Sequence, residues 1–554
     1  MLALFLIAIA AVGVSSGRAV AADGEHTLEF THFANGTGTT SELVFVNVAD
    51  YSIRPQIYFY DQRGDLIVPG SLVDLTGDLA IREDGSLTVR TEMEPFGKLT
   101  ITTHGRGEPV SGSVRAVSNG PIAGLVRYTI PNVGVTEVGP GRPLQDALFL
   151  ARRRREGIST VAALHNLGKE AIALNCQLMS GGVTLEEAEI PLEANGHTSW
   201  FIQEVFTATD TSDFLGSVRC NAPGEGRFSA IAVEIDPGQR VFDTLSVLPV
   251  DQIGGVYGQT ILDFPHIANG TWITHLVFLN TETRPSGPSL IPFHAPVPPS
   301  RPTIHFYNTQ GNPIAPDALI DIAGGLEITE DGALTVQTEM LPLGIVVLST
   351  HGRGKLVTGS ARVVSEGRIG AMVGFEHPDF GVAWASAGLP VHNAIFQVRR
   401  RKGETTTGIA LHNLESSPVL LRCDLMSKGV LLDSIPIPLL ANGQTSWSIE
   451  DAFATTDTSE FLGLVHCAMT GEGLFTALAL EVDVANSATS TLPEVIEAST
   501  ERAPSPPPTP PPPSPSEVVL PPKPPTGGGR NGENNEGDEG DENDEGDEDD
   551  EDDE

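Results

Sequence analysis

Apolar and polar residues alternate along most of this chain in short runs, and turn-forming pairs separate the runs. SLTVRTEM (86–93) sets Leu87, Val89, Thr91 and Met93 against Ser86, Thr88, Arg90 and Glu92, and ALTVQTEM (333–340) repeats the arrangement. Alternation with a period of two predicts a strand with one buried face. Asn35-Gly36, Asp84-Gly85 and Asn195-Gly196 punctuate the first half, and Asn269-Gly270, Asp331-Gly332 and Asn442-Gly443 the second. Such pairs favour tight turns. Helix is expected only as single turns near 199–206 and 446–453. Short strands with frequent turns predict an all-β chain of tandem antiparallel β-sandwiches.

The pattern is also duplicated. HGRG at 104–107 returns at 351–354, and ALHNL at 163–167 returns at 410–414. ANGHTSW at 194–200 returns as ANGQTSW at 441–447, and TDTSDFLG at 209–216 as TDTSEFLG at 456–463. A fixed interval of 247 residues marks a repeated structural unit. Each unit looks double in turn: SGSVRAVSNGPIAGLVRYTI (111–130) echoes LGSVRCNAPGEGRFSAIAVEI (215–235), and ELVFVN (42–47) echoes VAALHN (161–166). Four sandwich modules in two duplicated pairs are expected, at 23–140, 141–255, 256–388 and 389–490. The second pair carries a proline-rich insertion at 285–301, expected to be a surface loop.

The two ends read differently. The apolar run at 2–14 is too short to span a bilayer and is followed by the small residues Ala19, Val20, Ala21 and Ala22. Residues 1–22 are therefore expected to be a secretory signal peptide. Residues 491–530 form a Pro/Gly-rich linker with polyproline II character, and 531–554 an acidic disordered tail. That tail holds 16 of the 72 acidic residues, yet the remainder still carries a net charge of −23. So acidic a body lacks the basic footprint of a nucleic-acid binder. No other apolar run reaches membrane-spanning length, so no membrane span is expected. Asp541, Asn543, Glu545, Gly546 and Asp552 loosely echo a calcium loop without its final Glu or flanking helices. Weak, diffuse calcium binding by the tail is the sole cofactor expectation, and no folded metal site is expected.

The four cysteines are Cys176, Cys220, Cys423 and Cys467, 44 residues apart within each unit. Cys176 shares a face with Leu174 and Leu178, and Cys220 with Val218. Leu421, Cys423 and Leu425, and Val465 and Cys467, repeat this. Two inward-facing cysteines on separate strands of one sandwich can meet in its core, which predicts the disulfides Cys176–Cys220 and Cys423–Cys467 in an exported chain.

Candidate contact groups come in pairs. Arg152, Arg153, Arg154 and Arg155 are matched by Arg399, Arg400, Arg401 and Lys402, each run just ahead of the second module of its unit. Such runs either protect an edge strand from pairing or grip an anion. Trp200 and Trp447 follow Asn-Gly turns and are either core or contact residues for a polysaccharide. His165 and His412 have no neighbouring acid–thiol pair or second His at metal spacing and read as structural. HGRG reads as a tight hairpin turn, and Arg63-Gly64-Asp65 as a turn. No catalytic motif occurs, so no catalytic residues are assigned and no enzyme is expected.

FANGTGTTSELVFVN (33–47), GSVRAVSNGPIAGLVRY (112–128) and ANGHTSWFIQEVF (194–206) resemble uncharacterised repeat modules of bacterial exported proteins. The resemblance implies immunoglobulin-like sandwiches in a bacterial envelope or secreted protein, with no catalytic or ligand residues to carry over. The expected role is structural or adhesive, at the cell surface or in the extracellular matrix, and periplasmic residence fits the same signal. The alternative is a carbohydrate-binding protein for a surface polysaccharide, with other envelope proteins as further candidate partners. The sequence leaves the oligomeric state open.

Overall fold

The computed structural model describes residues 25–74, 78–131, 133–155, 157–236, 241–250, 259–282, 300–322, 325–484 and 488–492. The signal segment, nearly all of the 285–301 insertion, the linker after 492 and the acidic tail lie outside the described residues.

The described chain is almost entirely strand, and its antiparallel sheets repeat one connection order four times. In module 1, β8 (Val110–Ser118) lies between β1 (His26–Asn35) and β3 (Gln56–Tyr60), which leads on to β6 (Leu87–Val89) and β5 (Leu79–Ile81), with β4 (Leu66–Ile67) also on β3. The second sheet runs β7 (Lys98–Thr102), β2 (Thr40–Asn47), β9 (Ile122–Ile130), β10 (Gly134–Val138). Module 2 sets β16 (Asp213–Asn221) between β11 (Asp146–Arg154) and β13 (Ile172–Ser180), with β14 (Val183–Leu192) beyond β13 and β19 (Val247–Pro249) on β11. Its other layer is β15 (His197–Phe201), β12 (Ser159–Asn166), β17 (Phe228–Asp236), β18 (Val241–Leu245).

Module 3 repeats module 1. There β26 (Val357–Ser365) lies between β20 (Thr260–Asn269) and β22 (Thr303–Asn308), followed by β24 (Leu334–Val336) and β23 (Leu326–Ile328). Its other layer is β25 (Ile345–Ser349), β21 (Ile273–Asn280), β27 (Ile369–His377), β28 (Gly381–Ser386). Module 4 repeats module 2, with β34 (Glu460–Met469) between β29 (Asn393–Arg401) and β31 (Val419–Ser427), and β32 (Val430–Leu439) beyond. Its other layer is β33 (Gln444–Ser448), β30 (Thr405–Asn413), β35 (Phe475–Asp483), β36 (Ala488–Leu492). The expected single-turn helices are α1 (Ile202–Val205) and α2 (Ile449–Ala452).

Each core is built from inward positions of both layers. Phe30 and Phe45 meet edge to face at 5.7 Å in module 1, and their repeats Phe264 and Phe278 at 6.4 Å in module 3. Burying such a ring contributes roughly 1.5–3 kcal/mol. Cys176 and Cys220 are directly opposed on β13 and β16 and bonded, as are Cys423 and Cys467 on β31 and β34. Their four neighbours Leu174, Leu178, Leu421 and Leu425 are fully buried with them.

Two local expectations fail for identifiable reasons. SLTVRTEM is not one alternating strand: Leu87, Thr88 and Val89 are all buried, Thr88 donating to the carbonyl of Pro55, and the chain leaves the sheet at Arg90. There Asp78 accepts from the amides of Arg90 and Thr91, which ends the strand. HGRG is not a hairpin turn, because β7 and β8 belong to opposite layers and the motif carries the chain across the sandwich. The expected turn at Asn195-Gly196 does form, with Asn195 at φ +55°, and it too carries the chain between layers, from β14 to β15.

The modules also close on one another. The last strands pack in sequence, β10 on β18, β18 on β28, β28 on β36 and β36 back on β10. Two kinds of seam alternate around this circuit. Within a pair, the β3–β4 turn of module 1 meets the Asn195-Gly196 turn so closely that a Cβ on Gly64 would lie 1.9 Å from the carbonyl oxygen of Ala194. Gly311 and Ala441 repeat this contact at 2.0 Å. Between pairs, the hairpin tip at Gly182 packs on Pro342, and the equivalent Gly429 packs on Pro95. Module 4 thus meets module 1 as module 2 meets module 3.

Candidate functional site at the seam of modules 1 and 4

The outer face of the β7–β2–β9–β10 sheet meets the outer face of β29, β34 and β31. Its apolar half consists of Val46, Val48 and Ala123 against Ile395, Met426 and Leu464. Alternation along β29 then sets Gln397, Arg399 and Arg401 on this same face, while Ala394, Phe396 and Val398 fill the core of module 4. Register places Arg127 of β9 beside Glu42 of β2 and Glu137 of β10.

Arg127 is nearly buried and joins two carboxylates, Glu137 through Nη1 at 3.2 Å and Glu481 of β35 through Nη2. Burial works against its charge, but Glu137 and Glu481 outweigh burial and raise its pKa. Burial pushes Glu137 up to about 7 despite Arg127. Lys98 is held below its usual range by burial, which Glu42 and Glu137 only partly offset, and its Nζ is enclosed without a hydrogen-bond partner. Gln397 is 2% exposed, and neither its amide oxygen nor its nitrogen is bonded. Arg399 is depressed by burial and by the nearby Arg127. A cavity of about 270 Å³ opens here, lined by Glu42, Arg127, Arg399, Arg400, Arg401 and Glu460 among others.

The equivalent seam between modules 2 and 3 is built from different residues. Leu150 stands where Gln397 does, Ile345 where Lys98 does, Gly374 where Arg127 does and Trp384 where Glu137 does. Arg152 pairs with Glu234 at 3.3 Å, and Trp384 donates its indole N–H to the same carboxylate at 2.8 Å. The indole lies over Gly374, where any Cβ would approach the ring to 2.6 Å. Asp243, fully buried on β18, accepts from the backbone amide of Trp384, and burial pushes its pKa well up against that bond.

The two basic runs therefore occupy matching places but differ in partners. Arg153 donates to Thr211 at 2.9 Å, and its repeat Arg400 to Thr458 at 3.0 Å, with Glu450 3.4 Å away. Arg154, Arg155, Arg401 and Lys402 are exposed, Arg401 lying 3.8 Å from Glu404. Only the second run borders the cavity. Trp200 is 6% exposed and packs edge to face on Phe206 at 6.0 Å, while half-buried Trp447 repeats this with Phe453 at 5.9 Å. Trp200 thus belongs to the core and offers no face to a sugar ring. His165 and His412 are fully buried. Lys98, Arg127, Gln397 and Trp384 escaped the sequence reading; the signal for them is the mismatch between otherwise matching repeats.

Among the described residues no group of three or more His, Cys, Asp or Glu is arranged to hold a metal, and no helix is long and apolar enough to cross a membrane. No family model matches the chain, and no curated protein matches it. A crystal structure of a Salmonella alpha-2-macroglobulin mutant aligns over 83% of this chain at 10% identity with a TM-score of 0.09, too low to carry an argument. The chain spans 38% of that protein's length.

Proposed function

We propose that this is an exported, non-enzymatic protein with a structural or adhesive role at the cell surface or in the extracellular matrix. The observation that supports it best is what the duplicated motifs do. In HGRG, His104 accepts from the amide of Arg106 and reaches the carbonyl of Ser71, while Gly105 donates to Asn35. In ANGHTSW, the Ala194 carbonyl abuts Gly64 of module 1. In TDTSDFLG, Asp210 accepts from Ser212, and Thr211 from Arg153. The residues kept between the two units shape turns and module seams, as a display scaffold requires, rather than converging on one reacting centre.

Paired cysteines fit an oxidising compartment. The test is mass spectrometry of the protein recovered from the cells that make it. An amino terminus beginning after Ala21 or Ala22, together with oxidised cysteines in the exported fraction, is the expected result. An uncut chain with four free thiols in the cytosol would overturn the reading. The carbohydrate alternative loses Trp200 as a contact and keeps the arginines.

A further inference from the structure

The two between-pair seams share a carboxylate on the same strand position, Glu234 on β17 and Glu481 on β35. In the seam of modules 2 and 3, Glu234 is taken by the arginine of the neighbouring basic run, Arg152. In the seam of modules 1 and 4, Arg127 takes Glu481 instead, and Arg127 has no counterpart across the repeat because Gly374 stands there. Arg399, the repeat of Arg152, is thereby displaced from its carboxylate. Its guanidinium makes no hydrogen bond or ion pair among the described residues, and it borders the cavity.

We propose that this cavity binds an oxyanion, a phosphate, sulfate or carboxylate group, held chiefly by Arg399. Arg399 and Arg401 project from the same face of β29, about 7 Å apart along the strand. Guanidinium forks match the oxygen spacing of such anions and hold them with charge-assisted hydrogen bonds. Arg127 and Arg400 are already committed, to Glu137 and Glu481 and to Glu450, whereas Arg399 feels Glu481 and Glu42 only through space and keeps its guanidinium donors open, with Arg401 only loosely tied to Glu404. Glu42 and Glu460 also line the cavity, and Glu42 is drawn to Lys98, whose unbonded Nζ lies in the same seam. These carboxylates limit the cavity to one small anionic group. An anion bound there joins module 4 to module 1, the two modules farthest apart in the chain. The site does not depend on where the protein resides.

The test is titration calorimetry of the whole chain with inorganic phosphate, inorganic sulfate and glucuronate, at an ionic strength fixed with sodium chloride. Binding of at least one of them with Kd below about 1 mM is expected. Arg399→Ala should weaken it by about tenfold or more, the worth of one charge-assisted contact. Arg152→Ala, at the equivalent but paired position, should leave it unchanged. Preference for the inorganic ions would identify a free anion as the source, and preference for glucuronate an acidic sugar. Should Arg399→Ala fail to fold, Arg399→Lys keeps the charge and removes the fork, and it too should lose affinity. No heat with any of the three, or affinity unaltered by the Arg399 variants, would overturn the proposal.

Discussion

The indole Nε1 of Trp384 donates a 2.8 Å hydrogen bond to the carboxylate of Glu234, whereas the equivalent Glu481 receives the guanidinium of Arg127. One buried acid has thus acquired two kinds of partner after duplication. Because Gly374 leaves room for the indole, Glu234 in the seam of modules 2 and 3 has a neutral donor beside Arg152. In the seam of modules 1 and 4 the positions of Gly374 and Trp384 are held by the ion pair Arg127–Glu137. An aromatic donor buries apolar area while satisfying the acid. An ion pair in the same place must first overcome the desolvation of both partners.

Trp384→Phe tests that difference. An aromatic ring remains, smaller than the indole, and Glu234 keeps only Arg152 as a partner in a fully buried position. Leaving a buried polar group short of a partner costs about 1–3 kcal/mol. The urea midpoint should fall accordingly, with the slope of the transition unchanged. An unaltered midpoint would mean that neither the indole N–H nor the lost ring area contributes.

Each disulfide closes a loop with a sequence separation of 44. Loop-closure entropy alone assigns each about 4 kcal/mol. Replacing Cys176 and Cys220 together by Ala should therefore lower stability about as much as replacing Cys423 and Cys467, since their surroundings repeat. Peptide mapping without reductant checks the pairing, and calorimetry of the two double variants checks the equality. Markedly unequal losses would show that the modules differ in unfolded-state structure.

Acid should weaken the seams within the pairs. His32 and His197 share a 2.9 Å contact between Nδ1 and Nε2, which needs at least one neutral ring. Burial lowers His32 to about 4 and His165 to about 3, the latter with help from Arg115; it holds His197 well below its usual range, with His32 and His165 adding to the effect. His266 and His412 are lowered to about 4 and about 3 in the second pair, burial again leading. The folded state keeps these rings neutral while the unfolded chain takes up protons near 6.5. Their contribution is therefore complete above that pH and is lost progressively from 6.5 down to about 3, by up to about 1.4 kcal/mol per pH unit for each ring. Glu29, which burial pushes up to about 7 against Arg115, acts in the opposite sense and loses stability as pH rises from 4.5. His197→Gln, which installs the residue found at Gln444, should flatten the acid decline between pH 7 and 5 in urea titrations. A slope as steep as that of the parent would exclude His197 from the effect.

The parts of this fold legible in the sequence are those set by local pattern or by the repeat. The cysteine pairs were readable because inward-facing neighbours and a common interval fix them. The single helical turns at Ile202 and Ile449 were readable from the same comparison. Strand limits were less so, since Asp78, outside the run and across the β5–β6 turn from Thr91, decides where β6 ends. HGRG was misread because two glycines signal a turn without saying which sheet the chain enters next. The seam residues were hidden for a stronger reason. Gln397 and Glu481 reach Glu42, Lys98 and Arg127 only when the first and last modules meet, and no spacing encodes that. What the sequence does show is that position 397 is Gln where its repeat, position 150, is Leu.

That mismatch leads to the last prediction. Gln397 is buried with both amide atoms unbonded, on a face where Leu150 packs in the equivalent seam. A side-chain amide enclosed without partners is penalised by about 1–3 kcal/mol, and an apolar group of similar shape removes the penalty. Gln397→Leu should raise the urea midpoint, and the gain should grow if Lys98→Ile installs the other apolar counterpart, Ile345. Since Gln397 does not line the cavity, a stabilised Gln397→Leu variant should still bind the anion. A fall in stability would mean that water or another bound group satisfies the amide in solution, and hydrogen exchange at β29 with and without phosphate would show which of the two it is.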